Sequence, residues 1–202
     1  MDDHFILEID NALTAEECKT ILERFKGDPR KAQDVITDPI GKTTIVDLKR
    51  RDSVSIFISD KPEWVDIDKI LAKSIQDGLR VYEREIKKKI EMVGEDPDVL
   101  FRLLFRGGEK FTDSGYNVIQ VKPNSWYRWH HDGSFDTRML RCIWYLNDID
   151  DEHGGCTNFI NRRTIKPRAG KLLFFPATWI HAHSGARVTT DKYICGTTIF
   201  IE

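Results

Sequence analysis

The segment Tyr127-Arg128-Trp129-His130-His131-Asp132 concentrates metal-capable side chains in a short run. In an extended strand alternate side chains share a face, so His130 and Asp132 project together while His131 points away. One strand then offers a nitrogen and an oxygen ligand side by side. A second imidazole is available from a distant strand, where Trp179-Ile180-His181-Ala182-His183 supplies two candidates of the same parity. Alternation does not choose between His181 and His183. Two imidazoles and a carboxylate on one face of a metal leave the opposite positions open, an arrangement suited to non-heme Fe(II) that must bind substrate and O2 together. Lys192, on the next apolar run, adds a fixed cation about one strand away. Such a cation is what the far end of a dicarboxylate co-substrate needs.

Each of these residues has a plainer reading. His130 taken alone is a buried, hydrogen-bonded core histidine, and only its pairing with Asp132 argues for metal. Lys192 as an exposed strand lysine sits poorly with its parity, because it shares a face with Ile194, Gly196 and Thr198, too apolar and small for a solvent face. Tyr145, within the apolar run Cys142 to Leu146, reads by itself as a core aromatic that shares a face with Arg141 and Ile143. His153 lies in the acidic stretch Asp148 to Gly155, a solvated turn without the spacing of a calcium loop. Arg106-Gly107-Gly108-Glu109 matches no phosphate-binding loop.

The elements that must position these residues divide into a helical front and a stranded back. Phe5 to Ile9 is strand-like; Thr14 and Glu17 form a capping box, after which Cys18, Ile21, Leu22 and Phe25 fall on one helical face. Residues 26 to 50, rich in Gly, Pro, Asp and Lys, read as a long loop. A strand through Val54, Ile56 and Ile58 follows. Asp66 to Val93 is the longest helix, with an apolar stripe from Ile67 to Val93, and Gly94 with Pro97 stops it. Its Lys87-Lys88-Lys89 run reads as a solvated face, since Glu83 and Glu85 precede Lys87 and Lys89 by four residues. From Leu100 onward short apolar strands succeed one another: Tyr116 to Val121, Tyr127 to Asp132, Leu140 to Asn147, Cys156 to Ile160, Lys171 to Phe175, Trp179 to His183 and Tyr193 to Ile201. Strands without intervening helices imply an antiparallel sandwich or barrel.

The whole-chain balance agrees with an enzyme domain and excludes other classes. A net charge of -2 over 202 residues provides no general attraction to nucleic acid or an anionic membrane. No apolar run approaches a membrane span, and the start Met1-Asp2-Asp3-His4 lacks the basic region of a signal peptide, so a cytoplasmic location is expected. The cysteines, Cys18, Cys142, Cys156 and Cys195, show no CxxC spacing and read as reduced, packed thiols.

A longer ordered string carries a family resemblance. It runs Tyr127 three residues before the HxD, Arg138, Cys142-Ile143-Trp144-Tyr145-Leu146-Asn147, Gly154-Gly155-Cys156-Thr157, Gly170-Lys171-Leu172-Leu173-Phe174-Phe175-Pro176, then His183 and Lys192-Tyr193. Over residues 116 to 201 the chain resembles the C-terminal part of the Fe(II)- and 2-oxoglutarate-dependent dioxygenases, in the prolyl 4-hydroxylase-like branch. Upstream, Phe5 to Cys18 and Lys49-Arg50-Arg51-Asp52-Ser53 resemble that family's opening strand, helix and Arg-x-Ser region.

The resemblance implies a mainly β fold with N-terminal helices around a double-stranded β-helix, or jelly-roll. It implies one domain over 1–202, with 1–99 as strand and helix support and 100–202 carrying the site. It implies Fe(II) held by His130, Asp132 and His183, with 2-oxoglutarate and O2 as co-substrates and L-ascorbate as an accessory of the branch. The interval from His183 to Arg187-Val188 matches the family's ligand spacing and favours His183 over His181. Lys192 would hold the distal carboxylate of 2-oxoglutarate with Tyr145 and Thr157, while Tyr127 and Arg138 would meet the substrate. Asp132 as a carboxylate implies hydroxylation, since related halogenases carry a small non-ligating residue there. The expected reaction is hydroxylation of an unactivated C–H bond in a prolyl residue of a peptide or protein. Alternatives are the same chemistry on a small metabolite or free amino acid, or a non-oxidative, cupin-like metal jelly-roll. No nucleic-acid or membrane partner is expected. Two departures stand out: Val121 replaces the family's Tyr before the motif's Pro, and Thr198 replaces the Trp six residues beyond the basic clamp. With Gly196, Thr198 implies a roomier pocket wall.

Overall fold

The structure, a computed structural model, describes residues 5–37, 44–49, 51–105, 111–133 and 138–201. The Arg106-Gly107-Gly108-Glu109 segment and Arg50 lie outside the described residues.

The chain opens with β1 (Leu7–Ile9) and α1 (Ala15–Gly27). Thr14 and Glu17 form the reciprocal capping box, which satisfies amide donors that the first helical turn cannot. Cys18, Ile21 and Phe25 are buried on one face of α1. The stretch expected as a loop instead contains β2 (Ala32–Gln33), β3 (Ile36–Thr37) and β4 (Thr44–Ile45). β2 pairs with β5 (Ser53–Phe57), and β3 with β4. Two-residue strands are too short for alternation to reveal them, and their backbone groups are satisfied by partners distant in sequence.

α2 (Val65–Met92) presents Ile67, Leu71, Ile75, Tyr82, Ile86 and Ile90 as a buried stripe. Val93, expected to close that stripe, lies past the last turn and is exposed. Lys87 pairs with Glu83 at 2.7 Å and with Asp98 at 2.7 Å, and Lys88 pairs with Glu85 at 2.8 Å, as a solvated face requires. A third helix, α3 (Pro97–Leu104), occupies residues expected to break the helix and begin the strands. Asp96 caps it by accepting from the amides of Asp98 at 2.9 Å and Val99 at 3.0 Å, and Pro97 enters at the first turn, where its missing N–H costs nothing.

The remaining strands are β6 (Phe111–Asp113), β7 (Asn117–Val121), β8 (Tyr127–His130), β9 (Arg138–Tyr145), β10 (Thr157–Phe159), β11 (Thr164–Ile165), β12 (Leu172–Pro176), β13 (His183–Gly185) and β14 (Lys192–Ile201). They form a wide antiparallel sheet in the order β1-β12-β9-β14-β7-β5-β2, with β6 also on β14, and a small sheet in the order β11-β10-β13-β8. This is the jelly-roll with helical support that the sequence implies.

Strand alternation assigns the two faces of the wide sheet. Leu140, Cys142 and Trp144 of β9, Leu172 and Phe174 of β12, and Tyr193, Cys195 and Ile199 of β14 join one core with the helices. Ile143, Tyr145, Leu173 and Phe175 face the other way and pack with Phe159 and Ile165 of the small sheet. The indole of Trp144 donates to Ser74 Oγ at 2.9 Å, and that hydroxyl donates to the Ala12 carbonyl at 2.8 Å. The indole and the hydroxyl thereby both find partners, which ties α2 to the wide sheet.

Candidate active site

The candidate residues converge between the two sheets. His130 ends β8 and His183 begins β13, and the two are directly paired across the small sheet. Their rings lie 4.3 Å apart between centroids. Asp132 falls beyond the end of β8, so it reaches His130 from a bend rather than from the expected continuous strand. The bend is held by close backbone approach: a Cβ on Gly133 would stand 1.7 Å from the Ala177 carbonyl oxygen, so only glycine fits. Asp132 Oδ1 is then 3.8 Å from His130 Nε2, and Oδ2 is 3.4 Å from His183 Nε2.

Trp179–His181 forms a single 3-10 turn in place of the expected strand, and β13 begins at His183. The amide of His181 donates to the Thr178 carbonyl at 3.0 Å, and its ring Nδ1 meets Thr178 Oγ1 at 2.8 Å. The turn takes His181 away from the cluster although its parity equals that of His183. It contributes through its main chain, because His181 O accepts from His183 Nδ1 at 3.1 Å. His130 Nδ1 likewise donates to Arg128 O at 2.8 Å. A carbonyl can only accept, so both rings carry their proton on Nδ1 and turn the Nε2 lone pair toward Asp132.

Electrostatics keep those lone pairs available. Burial, reinforced by His183, lowers the His130 pKa to about 3, and burial also lowers His183. For Asp132, burial works to raise the pKa, but Arg141, His183 and His130 outweigh it and hold the carboxyl below its usual value. The group is therefore two neutral imidazoles and one carboxylate at neutral pH. Asp132 Oδ2 is buried with no hydrogen-bond partner among the described residues. An orphaned buried carboxylate oxygen is costly unless something of opposite charge meets it. The three side chains place one ligand atom each within 4.8 Å of one another, and this donor set fits Fe(II).

Across the cavity, β14 carries Lys192, which is buried with 5% exposure. Its Nζ donates to Gly155 O at 2.6 Å and lies 5.3 Å from the centre of the Tyr145 ring. No carboxylate of a described residue pairs with it, and burial lowers its pKa to about 8. A buried ammonium held by one carbonyl and an aromatic face keeps donor capacity that an anion could meet. Tyr145 and Thr157 meet through their hydroxyls at 2.7 Å, so Thr157 fixes the tyrosine whose face Lys192 touches. Thr157 and Lys192 line the same cavity, of about 100 Å³, as His130, Asp132 and His183.

The residues expected to meet substrate divide. Tyr127 lines the cavity and stacks on His130, with ring centroids 3.7 Å apart and planes inclined at 29°. Arg138 is exposed, and its Nη1 donates to Asp132 O at 3.0 Å, so it supports the bend that presents the carboxylate. Val121, which replaces the family's Tyr, lines the cavity wall. The roomier wall expected beside Gly196 and Thr198 is not open, because the Arg141 guanidinium lies there: a Cβ on Gly196 would stand 2.4 Å from Arg141 Nη2.

Arg141 and Arg51 were outside the expected site, although both line the cavity. Arg51 Nη2 pairs with Asp34 Oδ2 at 2.7 Å and its guanidinium covers the Tyr127 ring at 4.8 Å. Asp34 also accepts from the Ser53 and Ser55 hydroxyls, which pins the segment around β2 against the cavity. The parity of Arg141 with Tyr145 was the available signal for the first. The resemblance of Arg51-Asp52-Ser53 to an Arg-x-Ser region was the available signal for the second.

Residues 116–200 match the model of the 2OG-Fe(II) oxygenase superfamily. No curated protein matches the chain. Among solved structures, it is similar to a Pseudomonas putida prolyl-4-hydroxylase, with a TM-score of 0.70 and 19% identity over 98% of this chain and 94% of that one. It is similar to the viral collagen prolyl hydroxylase of Paramecium Bursaria Chlorella virus-1 in its 2OG complex, with a TM-score of 0.65 and 18% identity over 100% and 98% of the two chains. A third similar structure is a Trichoplax adhaerens prolyl hydroxylase in complex with a hypoxia inducible factor oxygen degradation domain peptide fragment, with a TM-score of 0.69 and 15% identity over 98% and 84%. At these identities the likeness is one of fold.

Proposed function

We propose that the chain, whose residues 116–200 match the model of the 2OG-Fe(II) oxygenase superfamily, is such an oxygenase and hydroxylates an unactivated C–H bond in a prolyl residue of a peptide or protein. The observation that carries the reading is one cavity shared by two incomplete sites, a neutral-imidazole and carboxylate triad on one side and a buried, anion-less Lys192 on the other.

Fe(II), when bound, supplies the redox chemistry that couples O2 and the decarboxylation of 2-oxoglutarate to oxygen insertion. The protein's own task is placement. His130 and His183 present Nε2 lone pairs and Asp132 presents Oδ2, which has no hydrogen-bond partner among the described residues. Lys192 takes the distal carboxylate of 2-oxoglutarate, helped by the hydroxyls of Tyr145 and Thr157, which meet at 2.7 Å. Tyr127 forms the wall for the reacting ring, and Arg138 keeps Asp132 aimed by gripping its carbonyl. Residues 1–202 act as one catalytic domain in this reading, with 1–99 supporting the sheet and 100–202 carrying the site. The prolyl class rests on the fold shared with the three prolyl hydroxylases and on Tyr127 and Arg138 at the matching motif positions.

The test is turnover of the protein with Fe(II) and 2-oxoglutarate in air. Succinate and CO2 should form and should increase with proline-rich peptides, accompanied by 4-hydroxyproline in the mass spectrum. Tight Fe(II) binding with no succinate under any condition would establish a non-oxidative metal jelly-roll and overturn the proposal.

A further inference from the structure

The cavity wall carries three basic side chains beside its histidines, and they differ in how far their charge is already used. Arg51 is committed: Asp34 meets its guanidinium at 2.7 Å and Ser53 Oγ accepts from its Nε at 2.8 Å. Lys192 stands at one end of the β14 stripe and is assigned above to the co-substrate. Arg141 is different. Its Nη1 reaches Thr198 Oγ1 at 3.4 Å, the long limit of a hydrogen bond. Its nearest carboxylate is Asp132, whose Oδ2 lies 3.8 Å from Nε, beyond hydrogen-bond distance and itself part of the metal-binding group. A guanidinium has five N–H donors in a fixed fork. Here that fork is largely unspent, on a side chain only 19% exposed.

The place it occupies is cleared for it. Across the strands Thr198 stands opposite Arg141, and Gly196 opposite Ile143. Any side chain on Gly196 would collide with Nη2 at 2.4 Å, and a bulky residue at Thr198 would fill the space through which the fork passes. Lys192 and Gly196, against which the Arg141 guanidinium lies, are four residues or roughly 13 Å of strand apart. A co-substrate anchored at Lys192 and ending at the triad therefore leaves Arg141 to a second ligand. The charges agree with this division. A divalent iron, the Asp132 carboxylate, the two carboxylates of 2-oxoglutarate and the Lys192 ammonium cancel, Arg51 is cancelled by Asp34, and Asp52 on the same wall is paired with Lys122 at 3.1 Å. The Arg141 charge is the one left over.

We infer that Arg141 receives a carboxylate of the prime substrate, so that the oxidised carbon lies close to an anionic group. The inference rests on the hydroxylase reading for the identity of that substrate. Two sources share the chemistry: the α-carboxylate of a free amino acid, and a C-terminal carboxylate of a peptide. Either one would meet the fork bidentately, which a neutral amide cannot do with comparable strength.

The experiment measures binding to the anaerobic complex of the protein with Fe(II) and 2-oxoglutarate by calorimetry, using two pairs of probes. One pair is L-proline and L-prolinamide. The other is a short peptide ending in proline as the free acid and as the amide. The acid of at least one pair should bind about tenfold to a hundredfold more tightly than its amide, and which pair does so identifies the source. In Arg141→Gln this preference should fall to within about twofold while 2-oxoglutarate affinity holds. Gly196→Ala provides a second route that retains the charge: it displaces the fork and should erode the same preference. Equal binding, or no binding, of acid and amide in both pairs overturns the inference. So does a preference that survives in Arg141→Gln, or a variant that loses 2-oxoglutarate affinity instead, which would assign Arg141 to the co-substrate. The hydroxylase reading fails separately. An Arg141-dependent acid preference without any oxygenated product leaves the inference standing and removes the prolyl substrate, whereas equal hydroxylation of acid and amide does the reverse.

Discussion

The two ends of the cavity are built by different means. At the Lys192 end, the side chains stand on long central strands of the wide sheet, and Lys192 and Tyr145 face inward because alternation along β14 and β9 leaves them no other direction. At the proposed metal end, each candidate ligand sits where a strand begins or stops: His130 at the last residue of β8, Asp132 in the bend beyond it, and His183 at the first residue of β13. Strand geometry alone does not aim them. Main-chain carbonyls do, at Arg128 for His130 and at His181 for His183, together with the backbone contact that admits only Gly133. The two ends are also complementary in what they lack, since one has lone pairs without a cation and the other a cation without an anion.

The sharpest way to break the comparison is at the metal end. His130→Ala or His183→Ala should lower Fe(II) affinity by more than about a hundredfold and abolish turnover, because each removes a ligand and not merely its support. His181→Ala keeps the carbonyl that orients His183 and should cost far less. Metal titration of the three variants checks this, and loss of metal in His181→Ala with retention in His183→Ala would exchange the two assignments. Gly133→Ala should come close to the ligand variants in effect, since its Cβ would stand 1.7 Å from the Ala177 oxygen and must push Asp132 out of place.

At the other end, Lys192→Ala should weaken 2-oxoglutarate binding about tenfold to a hundredfold through loss of a charge-assisted contact, with Fe(II) affinity unchanged. Lys192→Arg should recover part of it. Binding isotherms for the co-substrate and metal on the same samples separate the two ends, and a parallel loss of both would show that the ends are not independent.

The protonation of Lys192 gives a further, intermediate effect. Burial lowers its pKa to about 8, so the ammonium is fully present only below that value and is lost as pH rises. Co-substrate affinity should accordingly fall above about pH 8, and the fall should vanish in Lys192→Arg. Without co-substrate the sign for stability is opposite. The unfolded chain keeps this proton up to the ordinary value of 10.5, and the folded chain releases it near 8. Between those values the unfolded state binds more protons, so stability should rise with pH, and Lys192→Met should flatten that rise in thermal unfolding. The smallest effect is expected at Thr157→Val, which removes the 2.7 Å contact to the Tyr145 hydroxyl. A net hydrogen-bond contribution of about 0.5 to 1.5 kcal/mol implies a few-fold loss of 2-oxoglutarate affinity.

The same difference between the ends governs how much was legible in the residues. Period-two alternation by itself separates Lys192, Ile194, Gly196 and Thr198 from Tyr193, Cys195 and Ile199, and the structure puts the second group in the helix-side core. The stripe of α2 and the capping box at Thr14 are equally local, because each depends only on residues within a turn or two of one another. The short strands β2, β3 and β4, the capped helix α3 where strands were expected, and the turn at Trp179–His181 were misread for one shared reason. Their form depends on a partner or a cap more than on a hydrophobic period. His181 and His183 have the same parity and type, so nothing local distinguishes them. One 3-10 turn and the pairing of His183 with His130 across the small sheet do. Likewise, Gly196 and Thr198 read locally as empty space, and only the register of β14 against β9 reveals that Arg141 fills it. Composition and alternation along one strand determine which side chains face inward, whereas the register between strands far apart in the chain, set by packing and main-chain hydrogen bonds, decides which of them meet.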